Sequence, residues 1–184
     1  MKKNNFPAIG IMVCSILGCA NNTSTKTDTA QNKNYLVSMA GIDSLQLDMS
    51  KAELEKLLQS TISLPHVSQD KGADTIQVSY KGMPMTIYFD GSSNETATIR
   101  GIQTRHTACK TANGIGIGTE KSTVIDAYPG NTKYIAPEYE EYPVRSATKS
   151  AVAVVDTMTT HALVFHIIDK KVHSVEVCAY YEFY

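Results

Sequence analysis

The chain has 184 residues, with 17 Lys and Arg against 18 Asp and Glu, a formal net charge of −1 and 42% hydrophobic residues. This length suits one domain, or two small repeated units that share a core. The hydrophobic share is too high for a disordered chain, and the near-zero net charge argues against nucleic-acid binding, which needs a clustered basic surface.

The N-terminus carries the pattern of an export signal. Lys2 and Lys3 are followed by a nearly uncharged apolar run of 13 residues, from Phe6 to Gly18. A membrane-spanning helix needs about 20 apolar residues, so the run predicts a signal peptide over residues 1–18. The run ends in Ile16-Leu17-Gly18-Cys19, which resembles the lipobox of bacterial lipoproteins. The alternative is an ordinary signal peptide that is cleaved nearby.

The lipoprotein resemblance implies a location and a membrane partner. In that family the chain is cut before the cysteine, here Cys19, which then carries diacylglycerol and a further acyl chain such as palmitate. Cleavage would leave 166 residues and, because Lys2 and Lys3 are lost, would change the net charge from −1 to −3. Ala20 stands where an Asp would favour inner-membrane retention under the enterobacterial sorting rule. The resemblance therefore implies a lipid anchor in the bacterial cell envelope, on the outer membrane.

The segment that follows the lipobox is polar and rich in Asn and Thr. It contains nothing that could build a core, so residues 19–34 are predicted to be the lipidated cysteine and a flexible tether. The folded part is predicted to begin near Tyr35.

A repeat is visible after the tether, because residues 45–58 align without gaps on residues 115–128, an offset of 70. In the first copy Ser50-x-x-Glu53 is a capping box at the start of a helix. In the second copy Thr119 is the predicted cap. Each helical pattern is followed by three or four strand patterns. We therefore predict an α+β fold in which two tandem helix-plus-antiparallel-sheet repeats, residues 35–110 and 111–184, share one sheet.

The last two strand patterns predict a hairpin. A three-residue loop over residues 169–171 places Leu163 opposite Val177 and keeps the apolar residues of both strands on one face.

The second copy carries a family resemblance. Its glycine-rich entry over residues 111–118, its helix and its closing strand over residues 169–177 are similar to repeats in β-lactamase-inhibitor-protein-like domains and in outer-membrane assembly lipoproteins of the SmpA/OmlA type. The resemblance covers about residues 41–178 and implies an α+β unit used as a binding surface without catalysis. The short assembly lipoproteins lack a second copy, so their particular partner is not carried over.

Two cysteines remain once Cys14 leaves with the signal and Cys19 is acylated. In an exported protein, Cys109 and Cys178 are predicted to form a disulfide. The alternative is two independent thiols that pack as small hydrophobic groups.

A possible partner surface lies in residues 131–145, which we predict to be a long loop. It carries Tyr134, Tyr139 and Tyr142, and tyrosine is favoured at interfaces because it offers a large contact area with a polar tip. The alternative is a solvated connection in which residues 142–145 start a strand.

No catalytic, cofactor-binding or metal-binding residue is predicted. The glycine pattern at 114–118 has neither the dinucleotide nor the P-loop spacing, and the five histidines lack the spacing of a zinc site. His106 and Cys109 are close in sequence, which does not establish a catalytic pair. We therefore predict a membrane-anchored lipoprotein that acts as a non-catalytic protein-binding or envelope-assembly module. The alternative is a small-ligand-binding or hydrolytic envelope protein.

Overall fold

The computed structural model describes residues 34–64, 73–141 and 143–179. The predicted signal peptide, Cys19, nearly all of the tether and Tyr142 lie outside these residues. Eleven strands and two short helices are described, in the order β1 Tyr35–Ser38, β2 Gly41–Ile42, β3 Leu45–Gln46, α1 Lys51–Leu58, β4 Ala73–Tyr80, β5 Met83–Asp90, β6 Thr98–Thr104, β7 Cys109–Thr111, α2 Lys121–Asp126, β8 Thr132–Glu141, β9 Val144–Val155, β10 His161–Ile168 and β11 Lys171–Ala179. Neither helix in this part of the chain has the length and apolar character needed to cross a membrane.

The strands form two sheets, and the fold is mostly β. A seven-stranded antiparallel sheet has the order β4-β5-β6-β11-β10-β9-β8, so β4–β6, which follow α1, and β8–β11, which follow α2, lie in one sheet. A four-stranded mixed sheet has the order β3-β2-β1-β7, in which β1 and β7 are parallel. This second sheet was not predicted. The predicted boundary between residues 110 and 111 falls inside β7.

One hydrophobic core lies on a single face of the seven-stranded sheet. Leu54 of α1, Val124 of α2 and Ile42 of β2 share it with the fully buried Phe89 and Phe165. Burial of a side chain of this size stabilises the fold by about 1.5–3 kcal/mol relative to full exposure. The helices and the small sheet therefore cover one face of the large sheet.

The first helix begins as predicted. The Ser50 side chain accepts a hydrogen bond from the Glu53 backbone N–H at 3.3 Å, and Glu53 Oε2 accepts one from the Ser50 backbone N–H at 2.8 Å. The hydrogen bonds from the Ser50 backbone and hydroxyl lower the pKa of Glu53, because they favour its charged form. The capping box is confirmed.

The predicted cap of the second helix is wrong. The N-cap is Glu120, which makes no side-chain capping bond. Thr119 instead uses its hydroxyl to accept the Gly116 backbone N–H at 3.1 Å. The hydroxyl thus closes the glycine-rich turn, and the helix begins one residue later than predicted.

The C-terminal hairpin has the predicted partners but a tighter turn. Leu163 lies opposite Val177, as predicted, whereas the loop has two residues, Asp169 and Lys170, with φ of 48° and 68°. A turn with two positive φ values matches the twist of the flanking strands. The register shifts between His166 and Ile167, and this bulge absorbs the residue that the three-residue loop would have held.

The prediction of a long loop over residues 131–145 is wrong. Thr132–Glu141 is strand β8, which pairs with β9 at the end of the sheet. Pro137 is tolerated there because β8 is an edge strand, and the register shifts on either side of Tyr139.

The two caps give a matched test. We expect Ser50→Ala to lower the free energy of unfolding by about 1 kcal/mol, because the Glu53 backbone N–H loses its acceptor and the Glu53 carboxylate loses a hydroxyl donor. Glu120→Ala, at an N-cap without a side-chain bond, should change the free energy of unfolding by a few tenths of a kcal/mol at most. Urea unfolding followed by circular dichroism measures both. Equal losses in the two variants would contradict the capping argument.

Candidate binding surface

The face of the seven-stranded sheet that points away from the helices is called here the helix-free face. It carries a second, smaller cluster of buried side chains, which consists of Ala151, Ala153, Ala162, Val164 and Cys178. All but Cys178 lie on the neighbouring strands β9 and β10. Their side chains are small, so they project only a short distance from this face of the sheet.

The predicted disulfide is not formed in this structure. Cys109 belongs to the main core, where its thiol lies 3.6 Å from the Met83 sulfur, whereas Cys178 belongs to the cluster on the helix-free face. The sheet separates the two side chains. Burial raises the pKa of Cys109 to about 11 and that of Cys178 to about 12, so both thiols stay protonated at neutral pH.

A charged cluster crosses the helix-free face beside these small residues. His166 of β10 has Glu138 Oε1 of β8 at 2.8 Å from Nδ1 and Glu176 Oε2 of β11 at 3.1 Å from Nε2. The interaction with Glu138 passes over β9 at Ala151, which pairs with both His166 and Ala136. Because Ala151 is small, the two longer side chains can meet above it.

Both ring nitrogens of His166 face a carboxylate, which requires the imidazolium form to satisfy both. Burial by itself lowers the pKa of His166, but the hydrogen bonds and charges of Glu176 and Glu138 outweigh it, and the pKa lies above its ordinary value. An imidazole with both nitrogens engaged has no free site for accepting a substrate proton. The cluster is therefore suited to joining three strands rather than to acid–base chemistry.

The edge strand β8 exposes apolar side chains. Tyr134, Ile135 and Tyr139 are 44%, 51% and 42% exposed, and Val144 at the start of β9 is 60% exposed. The opposite edge strand, β4, instead exposes the polar residues Thr75, Gln77 and Ser79. Of the six large apolar side chains that are exposed in the described residues, four thus lie on β8 or at the start of β9; the other two are Leu36 of β1 and Met158 between β9 and β10.

The structure brings together part of the predicted partner surface. Tyr134 and Tyr139 lie on β8, while Tyr142 lies outside the described residues. Sequence reasoning missed Ile135, although it is an apolar residue beside Tyr134. It also missed the cluster of Glu138, His166 and Glu176, because only the sheet order places these residues together.

The structure does not bring His106 and Cys109 together as a catalytic pair. His106 Nδ1 accepts the Ala108 backbone N–H at 3.3 Å, and the Cys109 thiol is buried against Met83, so the two do not form a pair. Among residues 34–64, 73–141 and 143–179, no group of three His, Cys, Asp or Glu side chains is arranged to hold a metal ion.

Comparisons with protein-family models, with curated proteins and with solved structures found no match to this chain.

The His166 cluster predicts a pH dependence of stability. Because the folded-state pKa of His166 is raised, its contribution is complete below the unfolded pKa of about 6.5 and is lost as the pH rises through the folded value. We therefore expect the free energy of unfolding to fall as the pH rises from about 6.5 through the folded-state pKa of His166. Urea unfolding at a series of pH values, with the His166 ring followed by NMR, measures the effect.

The control for this experiment is His173→Gln, an exposed position on the next strand. It should keep the pH slope, whereas His166→Gln should abolish it. An unchanged slope in His166→Gln would refute the stabilising role of the cluster.

Proposed function

We propose that this chain is a lipoprotein of the bacterial cell envelope, anchored to the outer membrane through Cys19, whose domain binds a protein partner or another envelope component without catalysis. The lipobox pattern, the polar tether and the apolar edge of the sheet support this reading.

We also propose that residues 35–110 and 111–184 are two tandem repeats. Each holds a helix followed by strands of the seven-stranded sheet, β4–β6 in the first and β8–β11 in the second, and the last strand of each set, β6 and β11, lie side by side. This order agrees with the sequence repeat at an offset of 70 residues. The resemblance to β-lactamase-inhibitor-protein-like and SmpA/OmlA-type repeats adds support, since those units serve as binding surfaces.

The observation that carries the binding proposal is the apolar edge at β8. Successive side chains of a strand point to opposite faces, so Tyr134 and Ile135 expose apolar area on both sides of the same edge. An edge strand also presents backbone N–H and C=O groups that another strand can pair with. A partner that lies along Thr132–Ala136 would cover both side chains and the backbone at once.

The edge also limits which partners can pair. Pro137 has no N–H, and the register shifts around Tyr139 interrupt the regular ladder. Regular pairing is therefore confined to the part of β8 before Pro137. This arrangement favours a short extended segment of a partner protein over open-ended sheet extension.

The anchor is tested with two cysteine variants. In a bacterial host, we expect Cys19→Ser to prevent incorporation of labelled palmitate and to move the protein out of the membrane fraction. Cys14→Ser, inside the predicted signal peptide, should retain both properties. Unchanged labelling in Cys19→Ser would refute the lipid anchor and would leave the binding surface untouched.

The binding surface is tested by photo-crosslinking in cells. With p-benzoylphenylalanine at position 134 or 135, we expect an adduct of one defined mass. The same probe at position 75 or 77, on the polar edge strand β4, should give no such adduct. Adducts of equal yield at both edges, or at neither, would contradict binding along β8.

A further inference from the structure

The pairing of β8 with β9 contains a large irregularity. Pro137 pairs with Ser150 and Tyr139 pairs with Arg145, so residues 146–149 of β9 lie opposite Glu138. A groove of about 320 Å³ lies at this bulge. The polar residues that line the groove are Lys121, Ser146, Thr148, Lys149, Ser150 and Lys170. Bulges of this kind are frequent next to functional sites, because they redirect side chains.

The bulge has a defined shape. The buried Ser146 uses its hydroxyl oxygen to accept the backbone N–H groups of Thr148 at 3.3 Å and Lys149 at 3.1 Å. The same hydroxyl donates to Glu140 Oε1 at 2.9 Å. The Thr148 carbonyl accepts the Asp169 N–H at 3.1 Å, which ties the bulge to the turn between β10 and β11.

The first residue of α2 is hydrogen-bonded to the turn between β10 and β11. The Lys121 backbone N–H donates to the Lys170 carbonyl at 2.8 Å. The ammonium of Lys121, which is half-buried, donates to Ser150 Oγ at 2.9 Å. These bonds place the Lys121 ammonium in the groove and hold the backbone of Lys170 beside it.

The three lysines of the groove are not neutralised by acids. In the described part of the chain, no carboxylate lies within 4.0 Å of the ammonium groups of Lys121, Lys149 or Lys170. By contrast, Lys51, Lys81 and Lys171 each pair with an acid.

No acid among the described residues lines the groove; Asp169 lies next to Lys170 in the hairpin turn, and two other nearby acids have partners of their own. Glu120 pairs with Lys171 at 3.5 Å, and Glu140 accepts from Ser146. The described residues that line the groove thus include three lysines and no acid, in a chain whose net charge is −1.

We propose that this groove binds a phosphate group. Lys121 places its ammonium at Ser150, two further lysines line the groove, and the hydroxyls of Thr148 and Ser150 can donate hydrogen bonds to phosphate oxygens. Lysine binds phosphate as a point charge on a flexible stem, which suits a shallow groove. Ile135 and Pro137 also line the groove and can contact the carbon part of a phosphate ester. The proposal does not depend on partner binding along the edge of β8.

The test uses the purified chain as the cell processes it, with amide NMR titrations of inorganic phosphate and pyrophosphate. We expect shift changes to concentrate at Lys121, residues 147–150 and Lys170. The double variant Lys121→Gln/Lys170→Gln should weaken binding about tenfold or more, because each lost charged hydrogen bond is worth about one decade. The matched control Lys56→Gln/Lys110→Gln removes the same charge from exposed positions elsewhere and should bind as the wild type does.

A second arm identifies the source of the phosphate. Vesicles of phosphatidylglycerol are compared with vesicles of phosphatidylcholine, so that any contribution of an acyl anchor cancels. Stronger binding to phosphatidylglycerol that is lost in Lys121→Gln/Lys170→Gln supports a lipid headgroup, whereas binding of the soluble anions without this preference supports a free phosphate ligand. Binding in neither arm, or equal weakening in the control variant, would overturn the proposal.

Discussion

The fold depends on the antiparallel pairing of β6 with β11. Residues 101–104 pair with residues 175–178, which are more than seventy positions later in the chain. This ladder joins strands β4–β6 to strands β8–β11. Ile102 and Val177 face each other in the core along it. On the other face, a Cβ at Gly101 would stand 3.0 Å from Tyr88 Cδ2, so glycine lets the tyrosine ring lie close to the seam. Strands β10, β9 and β8 then follow outwards, and their positions are consequences of this pairing.

The outer strands are tied back to this seam by charge as well as by backbone hydrogen bonds. Glu176 of β11 contacts His166 of β10, which in turn contacts Glu138 of β8. Glu138 is also the residue opposite the four-residue bulge of β9. The bulge therefore connects two features: the charged cluster that secures β8, and the lysine-lined groove beside α2. A change in the protonation of His166 would act directly on the strand that carries the exposed tyrosines.

An exposed apolar edge strand carries a risk of aggregation, because another strand can add to it. This chain keeps such an edge at β8 while making β4, at the other end of the sheet, polar. Pro137 and the two register shifts shorten the stretch of β8 that can form a regular ladder. The result is an edge that can accept a short segment yet resists unlimited stacking, which is the property expected of a binding strand.

The sequence by itself determined the features that depend on near neighbours. These include the capping box of Ser50 and Glu53, the strands after α1, and the partner positions Leu163 and Val177. The tertiary structure decided whatever depends on residues far apart in the chain. Residues 132–141 form strand β8 because β9 pairs with them, and β1 pairs with β7 although each strand has four residues or fewer. Cys109 and Cys178 were placed on opposite faces, and His166 met two carboxylates from other strands. Periodicity and capping arise from contacts within a few residues, whereas sheet order is set by which strands pair across the whole chain.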